Sequence, residues 1–277
     1  MKNRAIKNIL LINHYAGSPD MGMEFRPYYF AREWVKKGYR VDVIAASYSH
    51  LRISNPKINK DFEEQIIDGI HYHWIHTISY EGNGGKRALT MFQFVGKLWF
   101  NAKNIAQKFQ PDVIITSSTY PLDTYVGQRI KKYTRGKGKL IHEIHDMWPI
   151  VPVEIGGMSP KHPFIKIMQK AEKSFCCNSD AVVSLLPCAE KYLIKRGLRQ
   201  GKFVHVPNGI LEEEWLNITP LPEKMQQELT GIKKNHKFLI CFFGSITISY
   251  ALDYLIDAMK QFNNTEVGLL IVGNGNY

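Results

Sequence analysis

Cysteine is scarce and poorly placed for chemistry. The four residues, Cys176, Cys177, Cys188 and Cys241, form no C-x-x-C pair and have no histidine at finger spacing, so neither a disulfide framework nor a structural zinc site is indicated. Long apolar runs are missing as well. The basic start MKNRAIKNILLINHYAG contains only a brief apolar run, too short for a signal h-region, and no stretch approaches the roughly 18 apolar residues needed to span a bilayer. There is no G-x-G-x-x-G turn, so the dinucleotide fingerprint is absent. Acidic residues are in deficit, 25 against 36 lysines and arginines, giving a formal charge of +11. Anionic partners are therefore expected. Nucleic acid is set aside, because the chain has no RNP-like aromatic strand, finger spacing or helix-turn-helix. What remains is a cytoplasmic chain, soluble or lying on a membrane surface.

The 277 residues are 44% apolar and 22% charged, an ordinary globular composition for one large domain or two modest ones. Short apolar runs recur: NILLIN (8–13), VDVIAA (41–46), IHYHWI (70–75), DVIIT (112–116), KLIHEIH (139–145), DAVVSL (180–185) and FVHVP (203–207). Several lack polar alternation, as strands of a parallel sheet covered on both faces do. Amphipathic stretches near 24–37, 88–109, 121–133, 162–177 and 187–197 alternate with them, and that rhythm predicts an α/β fold. After VPNGI (206–210) comes an acidic, proline-punctuated stretch, and the pattern restarts with KFLICFFG (237–244), a helix near 250–262 and VGLLIVG (267–273). The expected organisation is one domain over 1–205, a linker over 206–236 and the start of a second domain over 237–277. One strand, helix and strand is less than a doubly wound domain requires, so this second domain is expected to be incomplete.

Four segments are candidates for chemistry. The loop HYAGSPDMGMEFR (14–26) links the first strand to a helix, and Gly17 and Gly22 suit a turn whose amides approach an anion; a plain flexible connection fits the same residues. KLIHEIH runs into DMWP, which sets His145 and Asp146 at a strand end, where they can orient a hydroxyl or stabilise developing positive charge; a structural hydrogen bond at the sheet edge is the alternative. The following segment, 150–163, reads as a mobile loop. In HYHWIH, His71 and His73 share a strand face and His76 falls on the other, so no metal site is expected. The stretch 86–109 is an aromatic, basic helix with Phe92, Lys97, Trp99, Phe100 and Lys103, suited to an anionic lipid interface or to packing an apolar stripe on the sheet. The run KKYTRGKGK (131–139) adds positive charge, as a solvated turn also does.

Together the segments resemble nucleotide-sugar-dependent glycosyltransferases of family 4. The resemblance rests on GSPDMG (17–22) with Arg26, PDVIITS (111–117), HDMWP (145–149), SDAVVSLLP (179–187), VPNGI (206–210) and FFGS (242–245) through VGNG (272–275). It covers essentially the whole chain. It implies the GT-B fold, two Rossmann-like doubly wound domains, and within the family it is similar to the O-antigen, capsule and exopolysaccharide branch that includes fucosamine-type transferases. It further implies sugar transfer with retention, from a UDP-type nucleotide sugar to a lipid-linked glycan or polysaccharide acceptor, at an anionic membrane surface on the inner face of the cytoplasmic membrane, without a metal cofactor. By position, His145 and Asp146 would contact the reacting sugar. Gly17, Gly22, Arg26, Gly244 and Ser245 would serve the donor diphosphate, and Glu154 the acceptor-side loop. Two departures stand out. No Arg or Lys follows the first strand of the second domain in SITISY (245–250), and the sequence stops at Tyr277, before the paired glutamates that grip the donor. The 277 residues alone are therefore expected to turn over little or no substrate. The other functions considered are a noncatalytic sugar- or nucleotide-binding module and another GT-B enzyme such as a sugar-nucleotide epimerase.

Overall fold

The computed structural model describes residues 7–22, 25–80, 82, 84–216, 219–262 and 264–275. The chain divides into two compact units, the first ending at Asn208 and the second beginning at Gly209.

In the first unit the described strands are β1 (Asn8–Ile12), β2 (Arg40–Ala46), β3 (Glu63–Ile67), β4 (Ile70–Ile75), β5 (Val113–Thr116), β6 (Lys139–Ile144), β7 (Ala181–Ser184) and β8 (Phe203–His205). They form one sheet in the order β3-β4-β2-β1-β5-β6-β7-β8, parallel throughout except for β3. The helices between them are α1 (Phe25–Lys36), α2 (Gly85–Phe109), α3 (Asp123–Tyr133), α4 (Ile150–Glu154), α5 (Pro163–Asn178) and α6 (Ala189–Lys195). From β1 the chain builds outward to β4, then returns and builds the other way from β5. The carboxyl ends of β1 and β5 are thus the point where strand order reverses, and there an open α/β sheet leaves a crevice for ligands.

The continuous apolar strands are explained by burial on both faces. Leu10 and Ile12 of β1 join Ile44, Ile114 and Leu140 beneath Phe94, Leu98 and Ile105 of α2 and Val126 and Ile130 of α3. Ile9 and Leu11 face the opposite way, toward Val41, Val43, Tyr72 and Trp74, and pack with Tyr28 and Ala31 of α1. Gly127 lets α3 approach the sheet closely: a Cβ there would lie 2.6 Å from Thr116 Cγ2 and 2.7 Å from Leu140 Cδ1.

Two elements depart from the sequence expectation. β3 pairs antiparallel to β4 through a tight Asp68-Gly69 turn, with φ of 50° and 77°. Asp-Gly favours that left-handed pair, so the hairpin had a local signal in the dipeptide. The segment expected to be a mobile loop after DMWP opens instead with α4, five residues long, and leads into α5, whose Pro163 occupies its first turn; proline is preset for that position.

In the second unit, α7 (Glu212–Leu216) and α8 (Glu223–Asn235) precede β9 (Phe238–Phe243), α9 (Leu252–Gln261) and β10 (Val267–Val272). The strands pair in parallel, Phe238 opposite Val267.

Candidate functional site

The carboxyl ends of β1, β5 and β6 are tied together by polar side chains. Asn13, just past β1, donates through Nδ2 to the Ser117 carbonyl (2.6 Å) just past β5. Its own Oδ1 accepts the Tyr15 amide (2.8 Å), which turns the chain into the loop that follows. Ser117 Oγ in turn lies 2.6 Å from Glu143 Oε2 and 2.8 Å from His145 Nε2, and that nitrogen is 3.2 Å from the same carboxylate oxygen. Glu143 and His145 are two apart on β6 and its extension, and so share a face.

Arg26, in the first turn of α1, closes the other side of Glu143. Its Nε and Nη2 both donate to Glu143 Oε1, at 3.2 and 3.1 Å. Nη2 also reaches the Val206 carbonyl (2.8 Å), while Nη1 reaches the Pro207 carbonyl (3.0 Å) and Asn208 Oδ1 (2.9 Å). These bonds account for all five N–H donors of a guanidinium. The VPN turn is thereby fastened to the end of β6. Both side chains of the ion pair are only 9% exposed, a setting in which loss of one partner strands a buried charge. Burial opposes ionisation of Glu143, yet His145, Ser117 and Arg26 outweigh it and hold the carboxyl at about 2.

A second, drier layer lies behind. His14 is fully buried against Tyr15 (4.5 Å between ring centres) and Phe94 (4.7 Å), with Nδ1 2.7 Å from the Tyr120 hydroxyl. Burial, and then the charges of Arg52 and Arg87, push its pKa well below the usual value, so the ring is neutral. Ser118 accepts the His14 amide through Oγ and donates its own amide to Asp123 Oδ2 (2.9 Å) at the start of α3. Burial pushes Asp123 up to about 7, against the pull of the Ser118 bonds.

The loop after β1 is held by Arg52, a buried residue that the sequence did not single out. Its Nε donates to the Ala16 carbonyl (3.0 Å) and its Nη1 to the Ala46 carbonyl (2.9 Å) at the end of β2. Gly17 lies against this side chain and its carbonyl accepts the Tyr72 hydroxyl (2.7 Å). Gly22 forms an antiparallel bridge with Arg52, at φ 89° and with a Cβ position only 3.0 Å from the Ile53 amide. Glycine is required there by both conformation and space.

Of the other candidates, Asp146 sits exposed on the rim beside His145; the surrounding protein lifts its carboxyl above the usual range, opposed by His145 and Arg87. Glu154 is exposed at the end of α4. Gly244 and Ser245 belong to the second unit, where the Gly244 amide bonds the Val272 carbonyl (3.1 Å) beyond β9. Along α2, Phe100 is 84% exposed and Phe92 41%, with Lys103 also at the surface. Lys97 is paired with Asp61 (2.9 Å), and Trp99 lies under the Arg129 guanidinium at 4.5 Å. The histidines of HYHWIH have separate partners: His73 Nε2 is 2.9 Å from Asp42, and His71 Nδ1 2.6 Å from Glu64. Among the described residues no three His, Cys, Asp or Glu side chains gather as metal ligands, and no helix is long and apolar enough to cross a membrane.

An open parallel sheet with its polar cluster at the reversal point belongs to the Rossmann-like architectures, and solved structures specify which. Sucrose-phosphate synthase from Thermosynechococcus elongatus superimposes with a TM-score of 0.64 at 17% identity, over 96% of this chain and 62% of that one. Anabaena HepE in complex with UDP and glucose gives 0.57 at 15%, over 98% and 62%, and the lipopolysaccharide outer core galactosyltransferase WaaB gives 0.52 at 13%, over 97% and 61%. These likenesses establish the GT-B fold, and the chain spans about three-fifths of the length of each. No curated protein matches the sequence. The model of Glycosyltransferase Family 4 matches residues 21–214, more than half of the chain. The chain belongs to that family.

Proposed function

We propose that this chain carries the acceptor-side domain of a retaining glycosyltransferase. The enzyme moves a hexosyl or N-acetylhexosaminyl group from a nucleotide sugar to a lipid-linked or polysaccharide acceptor, in bacterial surface polysaccharide synthesis at the inner face of the cytoplasmic membrane. The observation that carries the reading is the hydrogen-bonded union of three strand ends at the reversal point, with His145 braced inside it and Asp146 on its rim. The family match over 21–214 favours transfer over epimerisation. UDP is the donor carrier in this reading, because HepE holds UDP.

The chemistry fits such a site. The bond from the anomeric carbon to the diphosphate breaks, an acceptor hydroxyl oxygen takes its place on the same face, and the hydroxyl proton leaves with the phosphate. An oxocarbenium-like centre needs fixed dipoles and a nearby carboxylate more than a strong nucleophile, and His145 and Asp146 supply both. In this reading the Gly17–Gly22 loop lies toward the diphosphate and Glu154 borders the acceptor. Arg26 keeps its place in the site through Glu143. No metal is needed. Exposed Phe92 and Phe100 with Lys103 present α2 to anionic lipid.

The test is transfer of radiolabelled sugar from UDP-linked donors to membranes bearing lipid-linked glycans, by the full-length protein. Lipid-extractable label that His145→Ala reduces by about tenfold or more supports the reading. Absence of label with every donor, or an unaffected His145→Ala variant, refutes it.

A further inference from the structure

Apart from the strand-end cluster, a groove of about 360 Å³ is lined by the irregular segment over 54–58, by β3, by Met21 of the loop after β1 and by Trp74 of β4. That volume lies in the range of small-ligand sites. Its walls are tied to the rest of the unit. The Met21 carbonyl accepts the amides of Ile53 (2.8 Å) and Ser54 (3.2 Å), and Asn55 Oδ1 accepts the Ser49 amide (2.9 Å) and Arg52 Nη1 (3.2 Å). Met21 and Ile58 pack on the core around Trp74.

The register of β3 decides which of its side chains serve the groove. Glu63 stands opposite Trp74 and Gln65 opposite Tyr72, so these four share one face. Glu64 falls on the other, where His71 Nδ1 lies 2.6 Å from its carboxylate. Trp74 Nε1 donates to Gln65 Oε1 (3.0 Å). That bond sets the amide, with its oxygen toward the indole and its NH2 group left as a double donor. The Asn59 amide donates to Glu63 Oε2 (2.8 Å), which holds the carboxylate and leaves Oε1 to accept. Lys57 is exposed on the facing segment.

The polar groups are mixed in a way that selects a ligand class. A carboxylate only accepts; an ammonium and an amide NH2 only donate. An anion is repelled by Glu63, a cation by Lys57, and an apolar molecule leaves all of these groups without partners. Hydroxyls donate and accept at once and satisfy the whole set. Several hydroxyls on a small frame, with C–H surface to set against Met21, Pro56 and Ile58, describe a neutral sugar.

We propose that the groove between β3 and the 54–58 segment is a saccharide subsite that takes a neutral sugar unit through Glu63, Gln65 and Lys57, separate from the strand ends where transfer occurs. That this unit belongs to the acceptor glycan rests on the reading of the chain as an acceptor-side domain; the binding itself does not. β3 and β6 are five strand spacings apart in the sheet, about 24 Å at the usual separation. The unit held in the groove is therefore several sugars away from the one that reacts, and the subsite favours an oligosaccharide acceptor over a single sugar.

Titration of the nitrogen-labelled 277-residue chain with methyl β-glucoside, methyl β-galactoside, N-acetylglucosamine and maltotetraose tests the binding, with sodium phosphate and UDP as anionic comparisons. At least one saccharide is expected to give saturable shifts at the amides over 54–58 and 63–65 and at the Trp74 indole N–H. Gln65→Ala and Lys57→Ala should each raise Kd by about fivefold, and Lys60→Ala, outside the groove, should leave it unchanged. Silence of these signals with all four saccharides overturns the proposal. So do equal shifts from phosphate or UDP, an unchanged Kd in either groove variant, or an equal rise in Lys60→Ala. Should Gln65→Ala not fold, Lys57→Ala decides alone. In the full-length protein Gln65→Ala is expected to raise KM for a lipid-linked oligosaccharide by about the same factor, with kcat and the KM of a lipid-linked monosaccharide unchanged. Sugar bound in the groove without that shift in KM removes the acceptor role and leaves the subsite standing. Absence of transfer by the full-length protein refutes the glycosyltransferase reading, and the titration then judges the groove by itself.

Discussion

Asp123→Asn should make the first unit more stable at alkaline pH and change nothing in the pH trend below 4. The Asp123 carboxyl is fully buried, receives the Ser118 amide on Oδ2, and has no protein partner on Oδ1. Burial raises it from 3.8 to about 7, a displacement equivalent to about 4 kcal/mol between its two protonation states. The sign follows from the direction. A carboxyl raised in the folded state binds its proton more tightly there than in the unfolded chain, so the protonated form favours folding. That contribution is complete below pH 3.8 and is lost as the pH climbs through about 7. Asparagine cannot ionise and keeps an acceptor for the Ser118 amide, at the cost of placing an NH2 group where Oδ1 lies unpartnered. That cost is independent of pH, so the decisive quantity is the slope. Urea unfolding followed by tryptophan fluorescence from pH 4 to 8.5 reports chiefly on the first unit, since Trp34, Trp74, Trp99 and Trp148 all precede Gly209. The stability difference, variant minus wild type, is expected to grow by up to about 4 kcal/mol across that range. A difference that stays constant with pH would show that Asp123 is already ionised in the folded chain at acid pH, and the reasoning from burial would fail.

Three further outcomes follow from the same geometry. Arg26→Ala leaves the Glu143 carboxylate buried without its guanidinium and should cost about 3–5 kcal/mol in urea unfolding, with Arg26→Lys recovering only part, because a single ammonium cannot reproduce the fork. Gly127→Ala forces a methyl against Thr116 and Leu140 and should destabilise by about 1–3 kcal/mol, read as a lower urea midpoint. Phe100→Ala combined with Lys103→Glu should weaken co-sedimentation with anionic vesicles several-fold while leaving neutral vesicles unaffected; equal binding of both proteins to anionic vesicles would remove α2 from the membrane account.

Local pattern carried much of the architecture because the strands are buried on two faces. ILLI and VIIT are apolar without alternation and could be read directly as parallel strands, and the end of KLIHEIH set His145 and Asp146 at a strand end from position alone. β3 was less legible, since Glu63, Glu64 and Gln65 give it no apolar face, and its evidence was confined to the Asp68-Gly69 turn. The site's supports were hidden for a different reason. Arg26 was expected at the donor diphosphate, but its guanidinium is engaged with Glu143, 117 residues away, and with the turn over 206–208; Ser117 and Glu143 are 26 apart, so these pairings arise from the sheet order and from nothing local. Glu143 did leave a trace, as a charged residue sharing a strand face with His145. Arg52 left none: its acceptors are backbone carbonyls of Ala16 and Ala46, which any sequence supplies.

The central claim is that the joined ends of β1, β5 and β6 receive the sugar substrate. A titration of the nitrogen-labelled 277-residue chain with a water-soluble, short-prenyl sugar diphosphate, followed amide by amide, tests it most directly. Saturable shifts should concentrate at Ser117, Ser118, His145, Asp146 and the loop over 14–22, and should vanish at those amides in His145→Ala. Shifts confined to the amino ends of the strands or to the β3 edge, with the strand-end cluster unmoved, would contradict the account.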